Sequence, residues 1–294
     1  MPYLSAIRIK ADLSGQARRI WSTKELLRYV GTNIEFWKCR KNTEGAIEVN
    51  HYLPTHALET IVDAGLVRKI SIPFPHRPVT RYVYGEQSPY AVVQSSDRNG
   101  YFSHYSAMFL QDLTEQIPKV YYFNAEQRAT GGGGTLTQAS INRAFAGRCR
   151  VSSNFARFGD ATVYKLNGQN TGCLGVKDLL LDGAEIRVTD IERTLIDIVV
   201  RPIYSGGIAE VAKAFEIAAP NVSVNRLTTY LKALNFTYPY HQVIGYYMDR
   251  AGKYSEKQLA QLRRISRDFD FYIDYQIKNP TLNKQWRLFV PKGF

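Results

Sequence analysis

Residues 187–219, RVTDIERTLIDIVVRPIYSGGIAEVAKAFEIAA, restrict the fold of this chain more than any other stretch. Thr189 and Glu192 stand three apart as a capping box, in which each side chain satisfies the other residue's free backbone N–H. Asp190 and Glu192 place negative charge at the positive end of the helix dipole. Ile191, Leu195, Ile198 and Val199 then fall on one stripe, until Pro202 stops the helix. Gly206 and Gly207 allow a turn, and a second helix carries Ile208, Val211, Ala212, Phe215 and Ala219 on one face before Pro220. Two amphipathic helices joined in this way must bury their apolar faces against another layer. Glu192, Arg193 and Asp197 read in two ways. They are a cap with solvated intrahelical ion pairs, or they are a buried ion cluster or catalytic group.

The N-terminal part has a different organisation. A helix is expected over 13–21, with Arg18 and Arg19 side by side. Ser22 with Glu25 forms a second capping box, next to Lys24, and its helix runs to Gly31. Pro54 suits the first position of a third helix, 54–64, which Gly65 ends. Residues 66–72 and 79–84 alternate as strands on either side of PFPHRP. Three helices followed by a two-stranded ribbon with a basic tip is the order of a winged helix-turn-helix. In that module a helix enters the major groove and the ribbon reaches the adjacent backbone. The DNA-binding residues are then Arg18, Arg19, Lys24, His51, Thr55, His56, Arg68, Lys69, His76, Arg77 and Arg81. Arg77 and Arg81 would set affinity for all sequences alike, and Thr55 and His56 would set preference. Residues 32–53 are longer than the usual connection. Either an extra helix lies over 35–41, with Trp37, or the recognition helix is another one.

A polar stretch near 87–100 separates domains 1–88 and 89–294. The second is expected to be a larger mixed α/β domain rich in helices, making the whole chain α+β. Its helix near 103–110 begins at Ser103, a natural N-cap. Ser103 and Ser106 beside His104 suit capping and packing, because neighbours on one turn do not form a nucleophile–base–orienter line. Strands are expected over 119–124, 161–166 and 184–188. The glycines at 131–134 suit a surface turn, as no Gly-Lys-Ser/Thr follows to make a phosphate loop. Arg148, Arg150 and Arg157 form a secondary basic cluster, joined by Arg263, Arg264 and Arg267 on a late helix that Ser255 and Gln258 open. Residues 286–290 read as a strand or a docking tail.

Charge is the informative total. The chain carries +12, with 13 Lys+Arg against 8 Asp+Glu in residues 1–86 and 25 against 18 in the rest. Such a field attracts polyanions, nucleic acid above all. The three cysteines, Cys39, Cys149 and Cys173, are far apart and suit a reducing cytoplasm better than a disulfide framework or zinc site. No apolar run approaches the ~18 residues of a membrane span, and no signal pattern opens the chain. HExxH, GxSxG and GxGxxG are absent. The closest match to a nuclease E-x-K is Glu185-Ile186-Arg187, without the lysine. No catalytic residues, metal or cofactor are expected.

The run VTDIERTLIDIVVRP, with YSGGIAEVAKAF after it, resembles the C-terminal domain of the AbiEi family of bacterial abortive-infection antitoxins and transcriptional regulators. The resemblance extends to FSHYSAMFLQDLTEQIPKVYYFN, TQASINRAF, YHQVIGYYMDR and KQWRLFVPKG. Members near this sequence usually have His-Gly-Leu where Gln111-Asp112-Leu113 stand. It implies a cytoplasmic DNA-binding antitoxin, monomeric or weakly dimeric on DNA. Such a protein binds inverted repeats in double-stranded DNA to repress its own operon, and opposes an AbiEii-like nucleotidyltransferase toxin. A degenerate nuclease of a phage-defence operon and a module that holds the toxin directly are the alternatives.

Overall fold

Helix-opening residues place many of the elements in a computed structural model that describes residues 1–128 and 135–294. The glycine run at 131–134 lies outside the described residues. The chain forms two units. Unit 1 comprises Met1–Arg98 with the short segments Ala156–Phe158 and Leu180–Ile186, and unit 2 comprises Asn99–Phe155, Gly159–Leu179 and Arg187–Phe294. The division falls later in the chain than the expected 88/89 point, and unit 1 is discontinuous.

Unit 1 begins with β1 (Tyr3–Ser5), α1 (Ala6–Gly15), β2 (Ile20–Ser22) and α2 (Thr23–Trp37). The expected helix over 13–21 is thus displaced toward the N-terminus. Ser5 caps α1 by accepting from Arg8 N, and Trp21 is buried in β2 opposite Tyr82. The Ser22–Glu25 capping box is formed in both directions. Its helix continues through Gly31 to Trp37, so no separate helix occupies 35–41. A Cβ on Gly31 would stand 3.3 Å from Pro54 Cγ, so glycine lets the head of the next helix come close. Residues 38–48 supply β3 (Lys38–Cys39) and β4 (Ala46–Glu48), which flank β1 antiparallel on both sides. Then come α3 (Pro54–Asp63), β5 (Arg68–Ile72), β6 (Val79–Val83) and α4 (Pro89–Gln94). Gly65, at φ +67°, ends the α3 turn as expected. β2, β6 and β5 form an antiparallel sheet in that order. Leu13, Leu26, Val30, Trp37, Leu58 and Ile61 fill the core beneath it.

Unit 2 is mixed α/β. Its first half contains β7 (Tyr101–Phe102), α5 (His104–Leu110), β8 (Val120–Gln127), α6 (Gln138–Ala146) and β10 (Ala161–Gln169); β9 (Phe155–Phe158), β11 (Val176–Leu181) and β12 (Ala184–Thr189) each have residues in both units. β8 lies between β7 and β10, with β10 parallel and β7 antiparallel to it. The helical hairpin follows as α7 (Ile191–Val200), a 3-10 turn at Pro202–Tyr204, and α8 (Ile208–Ala218). After it come α9 (Val224–Leu234), α10 (Tyr240–Ala251), α11 (Glu256–Arg263) and a small sheet of β13 (Phe271–Tyr272), β15 (Leu288–Pro291) and β14 (Pro280–Asn283). Leu195, Ile198, Val211, Phe215, Leu227 and Ile244 meet in one apolar core. Trp286 is fully buried ahead of β15 and not within a strand. A Cβ on Gly245 would overlap its ring, so α10 needs a glycine there. At Asp112 the backbone has φ +56°, a conformation that glycine adopts without cost and Asp tolerates.

The α7 cap differs from expectation. Asp190, not Thr189, is the N-cap and accepts from Arg193 N at 2.8 Å. The Thr189 hydroxyl meets Thr194 Oγ1, and Glu192 turns inward to accept from Ser223 N at 2.7 Å and Arg226 Nη1 at 3.4 Å. Glu192 thereby caps the start of α9 in place of its own helix.

Candidate functional site

In unit 1 the cations gather at the head of α2. Arg18 Nη1 and Arg98 Nη2 both donate to Glu25 Oε1, at 2.6 and 2.7 Å. Burial alone would raise the Glu25 carboxyl, but hydrogen bonds from Ser22 and the Arg18 cation outweigh it and hold the group at about 2. One carboxylate is therefore shared by two guanidiniums at a helix N-terminus, with Lys24 exposed beside it. Arg98 and the exposed Arg28 on α2 were missed from sequence. Arg98 lies 73 residues from Glu25, beyond the reach of any local motif.

The other expected contacts separate into free and engaged groups. Lys69, His76 and Arg77 are exposed on and between β5 and β6. Arg68 is exposed but pairs with Glu86 at 3.2 Å. Arg19 donates to Leu13 O at 2.7 Å and Ser14 O at 2.9 Å and lies over the Tyr84 ring, so it closes the C-terminal end of α1. Arg81 donates to Thr80 O at 2.8 Å and to Ser95 O at 2.6 Å, pinning the end of α4. Burial and the nearby cations Arg77 and Arg98 lower its pKa. The exposed side of α3 presents Thr55, Glu59 and Asp63 and no cation. His56 is half-buried, its ring centroid 5.2 Å from that of exposed His51.

The secondary basic residues have different surroundings. Arg263 and Arg267 hold their guanidiniums 5.7 and 5.6 Å from the Trp286 ring centroid. Arg263 also pairs with Glu256, while Arg267 lies beyond the end of α11 and donates to Gln285 O at 2.7 Å. These are packing roles, and Arg264 alone of the three is fully on the surface. Arg148 and Arg150 are exposed in the segment before β9, and Arg157 on β9.

Unit 2 also holds a buried polar network, which resolves the alternative left open for α7. Arg193 and Asp197 are 6% and 8% exposed and pair at 2.8 Å, so they are not solvated. Arg193 Nη1 also donates to Leu174 O at 2.8 Å and Thr171 Oγ1 at 3.3 Å. Glu126 accepts from Thr171 Oγ1, from Thr171 N at 3.0 Å, from Cys173 N, and from Tyr101 Oη at 3.2 Å. Asn124 Nδ2 donates to Tyr101 Oη at 2.6 Å. Gly175 passes so close that a Cβ would stand 2.6 Å from Arg193 Cβ. The network ties the 170–175 turn, β8 and α7 together.

Ser103 occupies the N-cap position of α5 but makes no cap hydrogen bond. Its Oγ lies 2.9 Å from His104 Nδ1. Burial pushes His104 down to about 4, leaving the imidazole neutral at pH 7. Ser103 is only 1% exposed, so this pair has no access for a substrate in the structure. Among the described residues, no group of three or more His, Cys, Asp and Glu side chains is placed to hold a metal ion. No helix among them is long and apolar enough to cross a membrane.

No protein-family model matches the chain, and no curated protein matches it in sequence. Its fold is similar to the crystal structure of the RV2827C protein from Mycobacterium tuberculosis. The TM-score is 0.59 at 14% identity, covering 97% of this chain and 90% of that one. At that identity the likeness concerns fold alone.

Proposed function

We propose that this protein is a double-stranded DNA-binding regulator of the antitoxin kind, without catalysis of its own. In this reading unit 1 is a winged helix-turn-helix module, with α3 as recognition helix and the β5–β6 hairpin as wing. The observation that carries it is the order α1–β2–α2–β3–β4–α3–β5–β6: apart from the short strands β3 and β4 between α2 and α3, it is three helices and a ribbon, in which β2 pairs with β6 and β5 and β6 form a hairpin. The exposed cations at the head of α2 and on the hairpin supply phosphate contacts. Base readout falls to Thr55 and Glu59 on α3, since a glutamate can accept from the cytosine amino group. Unit 2 is then the AbiEi-like antitoxin domain. It opposes a nucleotidyltransferase toxin while unit 1 represses the operon that encodes both. The sequence of the stretch 187–219 supports that part.

The test is an anisotropy titration of the whole protein against the DNA upstream of its own gene, with scrambled competitor and at least two salt concentrations. Preference for the upstream DNA and a steep salt dependence are expected. Lys69→Ala and Arg77→Ala should each flatten the log–log slope by about 0.9 if each cation meets one phosphate. Glu59→Ala should change base preference with little effect on that slope. Equal affinity for upstream and scrambled DNA would refute the regulator reading.

A further inference from the structure

A stack of aromatic rings in unit 2 ends at the protein surface. Tyr122 on β8 and Tyr164 on β10 are register partners, and their rings stack with centroids 5.5 Å apart at 25°. Tyr204 closes the inner side at 5.2 Å from Tyr122, with its hydroxyl accepting from Ser152 N at 2.7 Å. Phe155 lies beside Tyr164 with centroids 5.1 Å apart at a 31° tilt, and is 46% exposed. A single exposed ring needs no explanation. This one is held against a row of packed rings, so its exposed part is a fixed surface for one more planar group.

The segment that carries it is basic in sequence. From Gln127 to Gly159 the sequence has five arginines, no lysine and no carboxylate. The Ser152–Tyr204 hydrogen bond, together with Lys165 N donating to Asn154 O at 2.9 Å, fixes the segment that carries exposed Arg148 and Arg150 to the edge of the stack. An exposed aromatic ring that shares an arginine-rich segment suits a strand whose bases are free to stack and whose phosphates can meet guanidiniums. A duplex hides its base faces and does not fit this arrangement. Half-buried Tyr164, next to Phe155, adds a hydroxyl that a ribose 2′-hydroxyl can meet.

We propose that unit 2 binds single-stranded RNA by stacking an unpaired base on Phe155, with Arg148 and Arg150 on the flanking phosphates. This site is separate from the duplex contacts assigned to unit 1 and does not depend on them.

The experiment is an anisotropy titration of the whole protein with a labelled oligouridylate of about ten nucleotides, long enough to occupy one such platform. Oligodeoxythymidylate and a DNA duplex of equal length serve as competitors. Phe155→Ala should weaken binding roughly tenfold or more, as loss of one base–aromatic stack does, whereas Phe155→Trp should retain it. The Arg148→Ala/Arg150→Ala double variant should flatten the salt slope by about 0.7 per lost phosphate contact. Lys69→Ala/Arg77→Ala should leave RNA affinity unchanged, which separates this proposal from the fate of the operator reading. Wild-type affinity in Phe155→Ala, with an unchanged unfolding midpoint, would overturn the proposal. So would equal competition by the DNA strand or the duplex, or loss of RNA binding in the hairpin variant.

Discussion

At the scale of single residues, the Arg193–Asp197 pair has the strongest consequence. Both charges are out of water, and Arg193 Nη1 donates to Leu174 O and Thr171 Oγ1. Asp197→Ala leaves a guanidinium buried without its anion and should cost about 3–5 kcal/mol of stability. Urea unfolding followed by circular dichroism reads that loss. A shift below 1 kcal/mol would mean that the pair is relaxed into water. His104 predicts a pH dependence. Its unfolded value lies near ~6.5 and burial lowers the folded one to about 4. The unfolded chain therefore binds more protons between these values, so stability rises with pH. The contribution is complete above about 6.5 and is lost as pH falls through about 4, with a ceiling of about 3 kcal/mol. Asn tolerates the left-handed backbone that His104 adopts at φ +52°. In His104→Asn the slope of stability over that window should shrink, and an unaltered slope would assign it to other groups.

At the scale of elements, hydrogen-bond signals within one helical turn were legible and long-range ones were not. Ser22–Glu25 and Ser255–Gln258 form the reciprocal boxes that their spacing predicts. Thr189–Glu192 has the same spacing and does not, because Ser223 and Arg226 on a distant segment compete for Glu192 and win. The β1–β3–β4 sheet escaped notice for a related reason. Its strands are two or three residues long, too short for alternation to register, and their partners are more than 30 residues away. Arg81 shows how a correct list of residue types can hide different roles. Its position on β6 suggested a phosphate contact, yet its guanidinium is held by Ser95 and Thr80. Arg81→Ala should lower the unfolding midpoint of unit 1 and leave the salt slope of DNA binding nearly unchanged, the reverse of Arg77→Ala. Equal slopes for the two variants would return Arg81 to the interface. The aromatic platform was equally illegible, since Tyr122, Phe155 and Tyr164 come from separate strands and Tyr204 from the 3-10 turn after α7, joined only by strand pairing and packing.

At the scale of the whole molecule, each unit has its own apolar core. Scanning calorimetry should therefore resolve two transitions, because domains with separate cores need not unfold as one. A single transition with equal calorimetric and van't Hoff enthalpies would contradict this. A fragment of residues 1–98 should melt below the corresponding transition of the full chain, since it lacks Ala156–Phe158 and Leu180–Ile186.

That discontinuity also sets an order of events at the ribosome. Residues 1–98 emerge first, but the last piece of their unit ends at Ile186. At roughly 5–20 residues per second, the intervening chain takes on the order of 5–20 s to synthesise. A nascent chain therefore leaves its first unit incomplete until well over half of the protein has been translated. Premature termination before that point yields a product that lacks the last pieces of both units.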